Sequence, residues 1–316
     1  MTGMNGRILV VGSVALDEIA TPFDSVKEVI GGAAVYFAAA ASVLAPVQLV
    51  GVVGDDYPLE DLSFLRARGV DLAGLERSPG HSFRWGGRYH YDMNTRETTH
   101  TELGVFAEFR PHLPEAFRSA SWVFLGNIDP SLQLSVLDQV ESSTLVAADT
   151  MNYWIEGTRD TLLDVMGRID MITLNDEEAR QLSGEANLSR AARWIQAKGP
   201  RHVVIKKGEH GAMLLSDNEM FCAAGYPLED VVDPTGAGDA FAGGIFGYLA
   251  SSRSTDIGSL RRAVVHGCAL GSFACEAFGP GRLETLTRED VVRRVEVFRG
   301  LTQFAEAFEV PVELAR

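Results

Sequence analysis

Cysteine is scarce in this sequence: Cys222, Cys268 and Cys275 are the only three among 316 residues, and no C-x-x-C pair occurs. That argues for buried, reduced thiols in a cytosolic protein rather than for a disulfide framework. Positive charge is also short, with 28 Lys and Arg against 43 Asp and Glu for a formal charge of −15 and a pI near 4.9. Such a surface repels nucleic acid and anionic membranes, so neither is expected as a partner, and phosphorylated ligands would need local positive sites. No apolar run is long enough for a membrane-spanning helix, and Gly6-Arg7 leads straight into a short apolar strand without a secretory h-region. A cytoplasmic location is expected. The string G-x-x-x-x-G-K-[ST] is missing, and no G-x-G-x-x-G follows a strand, so neither a P-loop nor a Rossmann dinucleotide site finds support. Internal repeats, low-complexity segments and linkers are absent too.

The composition, 46% hydrophobic and 22% charged, suits a large buried core, and a single α/β domain over residues 1–316 is expected. Short apolar runs at Ile8–Val11, Val47–Val53, Trp122–Leu125, Leu145–Ala148, Met171–Leu174 and Val203–Ile205 read as buried strands. Helical patterns lie near Ala33–Leu44, Leu59–Arg68, Leu132–Val140, Thr158–Arg168 and Asp176–Leu182. Strands apolar throughout and separated by helices predict a mostly parallel sheet covered on both faces, with ligands beyond the strands' carboxyl ends. A meander at Ala212–Leu215 and Glu219–Cys222, a helix near Leu260–Phe278 and a helical stretch from Arg288 onward complete the pattern.

One segment breaks the βα rhythm. From Phe83 to Met93 the odd positions are Phe83, Trp85, Gly87, Tyr89, Tyr91 and Met93, a period-two face. Asn94-Thr95-Arg96-Glu97 supplies a turn into the return Thr98–Thr101, so a projecting hairpin is expected. Its aromatic face must be covered by its own domain, a substrate or a second subunit.

The chemistry concentrates in Asp233-Pro234-Thr235-Gly236-Ala237-Gly238-Asp239, an extended segment turning into a helix. Gly236 and Gly238 remove the Cβ atoms that would block close approach to bare N–H groups, and a helix N-terminus attracts anions such as a phosphoryl group. Asp239 stands beside that anion site. The helix end is expected to keep it ionised at neutral pH, able to take a proton from an attacking hydroxyl. Asp in a first helical turn also simply complements the dipole.

Four other constellations end strands on the same side. Asn175 and Glu178 share a first turn, the spacing of a capping box and equally of two groups facing one ligand. Val203 to Ala212 reads as strand, glycine turn and strand, with Lys206, Lys207, Gly208 and Gly211 at the bend. Asp17 follows the first strand, and Gly31-Gly32 precedes a helix of small residues. Asn127, Asp149 and Asn152 could line the site, although turn formation explains them nearly as well.

D-P-T-G-A-G-D-A-F-A-G-G, from Asp233 to Gly244, resembles the C-terminal signature of the PfkB/ribokinase family of sugar and nucleoside kinases. The resemblance runs from Gly12 to about Gly281, and only Asp233 to Asp239 is highly specific. It implies a ribokinase-like three-layer sandwich with a small β-sheet lid over roughly 14–30 and 81–104, which often also forms a homodimer contact. It implies an ATP- and Mg2+-dependent phosphotransferase acting on a primary hydroxyl. Asp239 would be the base, with Gly236, Ala237 and Gly238 as the anion hole. Asn175 and Glu178 would position Mg2+ through water, and Thr235, Lys206, Gly208 and Gly211 would meet the nucleotide, Lys206 standing where Thr is usual. Asp17, Gly31, Gly32, Tyr89 and Asn127 would meet the acceptor, and Asp233 with Thr235 would be nearest a monovalent cation, K+. At Tyr36 family members commonly have Asn, so an atypical acceptor, or one bound differently, is expected. The rival readings are a non-catalytic ligand-binding protein that keeps the fold, and a dinucleotide-dependent oxidoreductase, which the missing fingerprint argues against.

Overall fold

The computed structural model describes residues 6–302. The strands of its main sheet are β1 (Ile8–Val11), β4 (Val47–Val53), β5 (Asp71–Arg77), β8 (Trp122–Leu125), β9 (Leu145–Asp149), β10 (Met171–Asn175), β11 (His202–Lys206), β12 (Ala212–Ser216) and β13 (Glu219–Ala223). They form a nine-stranded sheet ordered β13-β12-β11-β10-β9-β8-β1-β4-β5. Pairings are parallel from β5 to β11, and β12 and β13 add antiparallel edges. A second sheet joins β2 (Ala15–Ala20), β3 (Ser25–Gly31), β6 (Phe83–Tyr89) and β7 (Arg96–Glu102) in the order β3-β2-β6-β7.

The helices are α1 (Ala33–Ala41), α2 (Ser63–Ala67), α3 (Pro130–Leu137), α4 (Asn152–Gly157), α5 (Arg159–Met166), α6 (Asp176–Ser183), α7 (Leu188–Gln196), α8 (Ala237–Ser252), α9 (Ile257–Ala274), α10 (Gly281–Glu284) and α11 (Arg288–Thr302). Alternation along β1 divides the core. Ile8 and Val10 pack with α1, α8 and α9 on one face, and Leu9 and Val11 pack with α3 and α5 to α7 on the other. This is the expected three-layer sandwich. Glycines let α8 approach its neighbours closely: a Cβ on Gly243 would lie 2.5 Å from the Phe37 carbonyl, and one on Gly244 2.7 Å from that of His266. Among the described residues no helix is long and apolar enough to cross a membrane.

Several boundaries differ from the sequence expectation. The 59–68 helix splits into a 3-10 turn at Leu59–Leu62 and α2. The hairpin strand stops at Tyr89, and Arg96 and Glu97 belong to the return strand, because Asp92 organises the turn by accepting from the N–H groups of Asn94 (3.1 Å) and Thr95 (2.9 Å). Tyr91, placed on the covered face by alternation, is 83% exposed as a result. The 260–278 helix ends at Ala274, and the stretch predicted beyond Thr302 lies outside the described residues.

Candidate active site

Parallel register brings β9, β10 and β11 to a common edge, since Thr173 pairs with Asp149 and Asn175 with Lys206. Each of these strands ends on a polar side chain. Lys206 Nζ donates to Asp149 Oδ2 at 2.7 Å, with both side chains largely buried. Burial lowers the affinity of Lys206 for its proton, but the Asp149 and Glu178 carboxylates reverse that and hold it charged above the usual lysine range. The ammonium borders the glycine turn, for a Cβ on Gly238 would lie 3.2 Å from it.

Asn175 and Glu178 form a complete capping box. Asn175 Oδ1 accepts from the Glu178 N–H at 2.8 Å, and Glu178 Oε2 accepts from the Asn175 N–H at 2.7 Å. Burial first, and then Asp149, raise the Glu178 carboxyl, against the pull of Lys206. Among the described residues no group of three His, Cys, Asp or Glu could hold a metal ion by itself. Oxygen donors of this kind suit a hard cation that keeps most of its waters.

Asp233 staples the glycine turn. Its two oxygens accept from the N–H groups of Thr235 (2.8 Å) and Gly279 (3.1 Å). Gly236 caps α8 at φ +72°, a conformation costly to other residues, and a Cβ there would stand 2.2 Å from the Tyr36 ring. The Ala237 N–H is drawn to the Pro234 carbonyl at 3.2 Å, so this member of the expected anion hole is already engaged. The N–H groups of Gly236 and Gly238 take no main-chain carbonyl outside the helix among the described residues.

Asp239 departs from expectation. Burial, followed by repulsion from Asp149, pushes its carboxyl up to about 7, although Lys206, Arg96 and its own N–H oppose the shift. The helix N-terminus does not outweigh desolvation here, and the group is poised rather than firmly ionised.

The small sheet closes over this turn. Thr235 Oγ1 donates to Tyr89 Oη at 3.1 Å, and a Cβ on Gly208 in the β11–β12 bend would lie 2.7 Å from Asn94 Oδ1. Asp17 is 3% exposed. Burial, then Asp233, raises its carboxyl to about 8, while a hydrogen bond from the Gly32 N–H pulls it down. Gly31 leaves room for Asp17, since a Cβ would stand 1.9 Å from its Oδ2. Gly211 closes the β11–β12 bend against the edge strand, where a Cβ would lie 2.2 Å from the Ala223 carbonyl oxygen. Asn127 Oδ1 accepts from Trp154 Nε1 at 2.9 Å.

One residue and one contact escaped the sequence reading. Arg96 pairs across the ladder with Tyr89, shares its face, lies 5.1 Å above the Trp85 ring and acts on Asp17, Glu178 and Asp239. Cross-strand register would have found it, had the turn been placed two residues earlier. The contact is the ion pair between Asp149 and Lys206, both already candidates, which depends on a strand order that the sequence does not display.

Free amides at a helix start, a poised carboxylate and a capping sheet define an α/β enzyme built for group transfer to a small ligand. The pfkB family carbohydrate kinase model matches residues 6–286, and the chain belongs to that family, as a kinase. It is 31% identical over 251 residues to the cytidine kinase of Thermococcus kodakarensis, covering 78% of this chain and 89% of that one. The nucleoside kinase of Methanocaldococcus jannaschii, a ribokinase family member, superposes with a TM-score of 0.74 at 21% identity over 93% of this chain and 99% of its own. An E. coli protein assigned as ribokinase II, solved with ATP and Mg2+, gives 0.75 at 21% over 92% and 99%.

Proposed function

We propose that this kinase transfers the γ-phosphoryl group of ATP to a primary hydroxyl of a small sugar or nucleoside, with cytidine the first acceptor to test. The observation that carries the reading is the placement of Asp239 in the first turn of α8, directly after a glycine turn whose Gly236 and Gly238 N–H groups take no main-chain carbonyl outside the helix among the described residues. Asp239 takes the hydroxyl proton as that oxygen attacks phosphorus. The amides, with Ala237 completing the turn, stabilise charge on the transferring group. Asp17, the space left by Gly31 and Gly32, Tyr89 and the Asn127 amide hold the acceptor. Lys206, Thr235, Gly208 and Gly211 border the nucleotide. The 31% identity to a cytidine kinase favours a nucleoside, and Trp85 and Tyr89 offer it aromatic surface.

Mg2+ fits the oxygens of Glu178 and Asn175 through its waters, and would neutralise phosphate charge. A monovalent cation near Asp233 and Thr235 would reinforce a turn that Asp233 already ties to Gly279. We take residues 14–30 and 81–104 as a lid on one kinase domain. Its exposed β7 edge is the surface for a homodimer, checked by light scattering.

The deciding experiment is ADP release by the full chain over a panel of nucleosides, sugars and sugar acids with ATP and Mg2+. Melting shifts without any ADP release would instead mark a ligand-binding protein. Because the Asp239 carboxyl sits at about 7, kcat/KM should fall about tenfold per pH unit below that point as the base becomes protonated. Arg96→Gln removes a positive charge that favours the carboxylate, so it should move the acidic limb of the profile to higher pH. A limb unmoved in that variant would exclude Arg96 from the electrostatics of the base.

A further inference from the structure

Tyr36 lies in the first turn of α1, 1% exposed, with its ring against Gly236. Its hydroxyl is buried and has no hydrogen-bond partner among the described residues, whereas buried polar groups are nearly always paired. Four elements press groups towards it: Asp17 from β2, Tyr89 from β6, Asp233 from the segment before the glycine turn and Asp239 from α8. Two of these are acceptor-side groups and two belong to the transfer side. Burial, then the nearby carboxylates, keep the phenol protonated far above its usual range, so it holds a proton to donate.

We propose that the Tyr36 hydroxyl binds the acceptor, donating a hydrogen bond to a sugar hydroxyl or ring oxygen held between Asp17 and Asp239. This rests on the kinase reading and adds a specificity group to it. An acceptor lacking that oxygen leaves the phenol buried and unpaired, so the site discriminates against it more strongly than a greasy pocket would.

The test compares wild type with Tyr36→Phe, which keeps the ring that packs on Gly236. Acceptor KM should rise about tenfold while the KM for ATP stays put. The melting temperature should hold or rise, because the hydroxyl takes no hydrogen bond among the described residues. Among 2′-deoxy, 3′-deoxy and ring-carbon analogues of the accepted nucleoside, one should lose affinity in wild type and not in Tyr36→Phe. An acceptor KM within about twofold of wild type, or analogue losses equal in both proteins, overturns the proposal, as does a fall in melting temperature with both KM values rising. If wild type releases no ADP with any acceptor, the kinase reading fails separately. Acceptor-induced melting shifts in the two proteins then judge Tyr36 without turnover, and a wild type that binds none of the panel overturns both.

Discussion

Asp239→Asn is expected to lower kcat by about two orders of magnitude or more while ATP binding stays near wild type. The amide keeps the shape of the carboxyl and can still meet the main-chain N–H at the head of α8, but it cannot take a proton. Stability should move in the opposite direction from activity. A carboxyl raised to about 7 in the folded chain favours folding fully below its unfolded value near 4 and loses that contribution as pH rises through 7. At pH 8 the wild type therefore carries an ionised group that burial and Asp149 disfavour, and the Asn variant does not. Its melting temperature should exceed wild type at pH 8, and the gap should narrow at pH 5. Turnover close to wild type would remove Asp239 as the base, whatever the melting curves did. Loss of turnover with a lower melting temperature at pH 8 would make the residue structural.

Local pattern carried the layer order because it rests on burial. Strands such as Ile8–Val11 are apolar on both faces, and only a sheet covered twice accommodates that. The glycine turn was legible for a similar reason: small residues between a stiff Pro234 and a helix admit few conformations. Other elements were not visible. β2 and β3 mix charged and apolar residues, with Asp17 buried in one and Lys27 and Glu28 both exposed in the other, so neither shows the alternation of a half-buried strand. α7 differs, for Leu188, Ala191, Ala192 and Ile195 recur at the i, i+3, i+4, i+7 spacing of an amphipathic helix and were open to a reading from sequence. The charge state of Asp239 was misjudged because a dipole is local while desolvation and Asp149 are tertiary. Lys206 illustrates the same limit. Its β-strand position was evident, but its ion pair spans from β11 to β9 across β10 and follows from strand order alone.

Gly236→Ala should be nearly as damaging as loss of the base, through geometry rather than chemistry. Two costs arise at this residue. A side chain at φ +72° is strained by about 1–3 kcal/mol, and the added methyl would stand 2.2 Å from the Tyr36 ring, a distance that forces the ring or the turn to move. The Tyr36 ring is fully enclosed, so the turn is the softer partner and the amides of Gly236 and Gly238 shift away from the phosphoryl position. Catalysis built on preorganised donors loses about 100-fold or more when one is displaced, and kcat should fall by that much while the melting temperature drops by several degrees. The double variant Gly236→Ala with Tyr36→Ala separates the two costs. If overlap with the ring dominates, the pair is less destabilised than the sum of the single changes, since each relieves the other; if the backbone angle dominates, the changes add. A single Gly236→Ala enzyme with wild-type kcat would mean that the turn need not hold its shape for transfer, and the anion-hole role of its amides would fall with it.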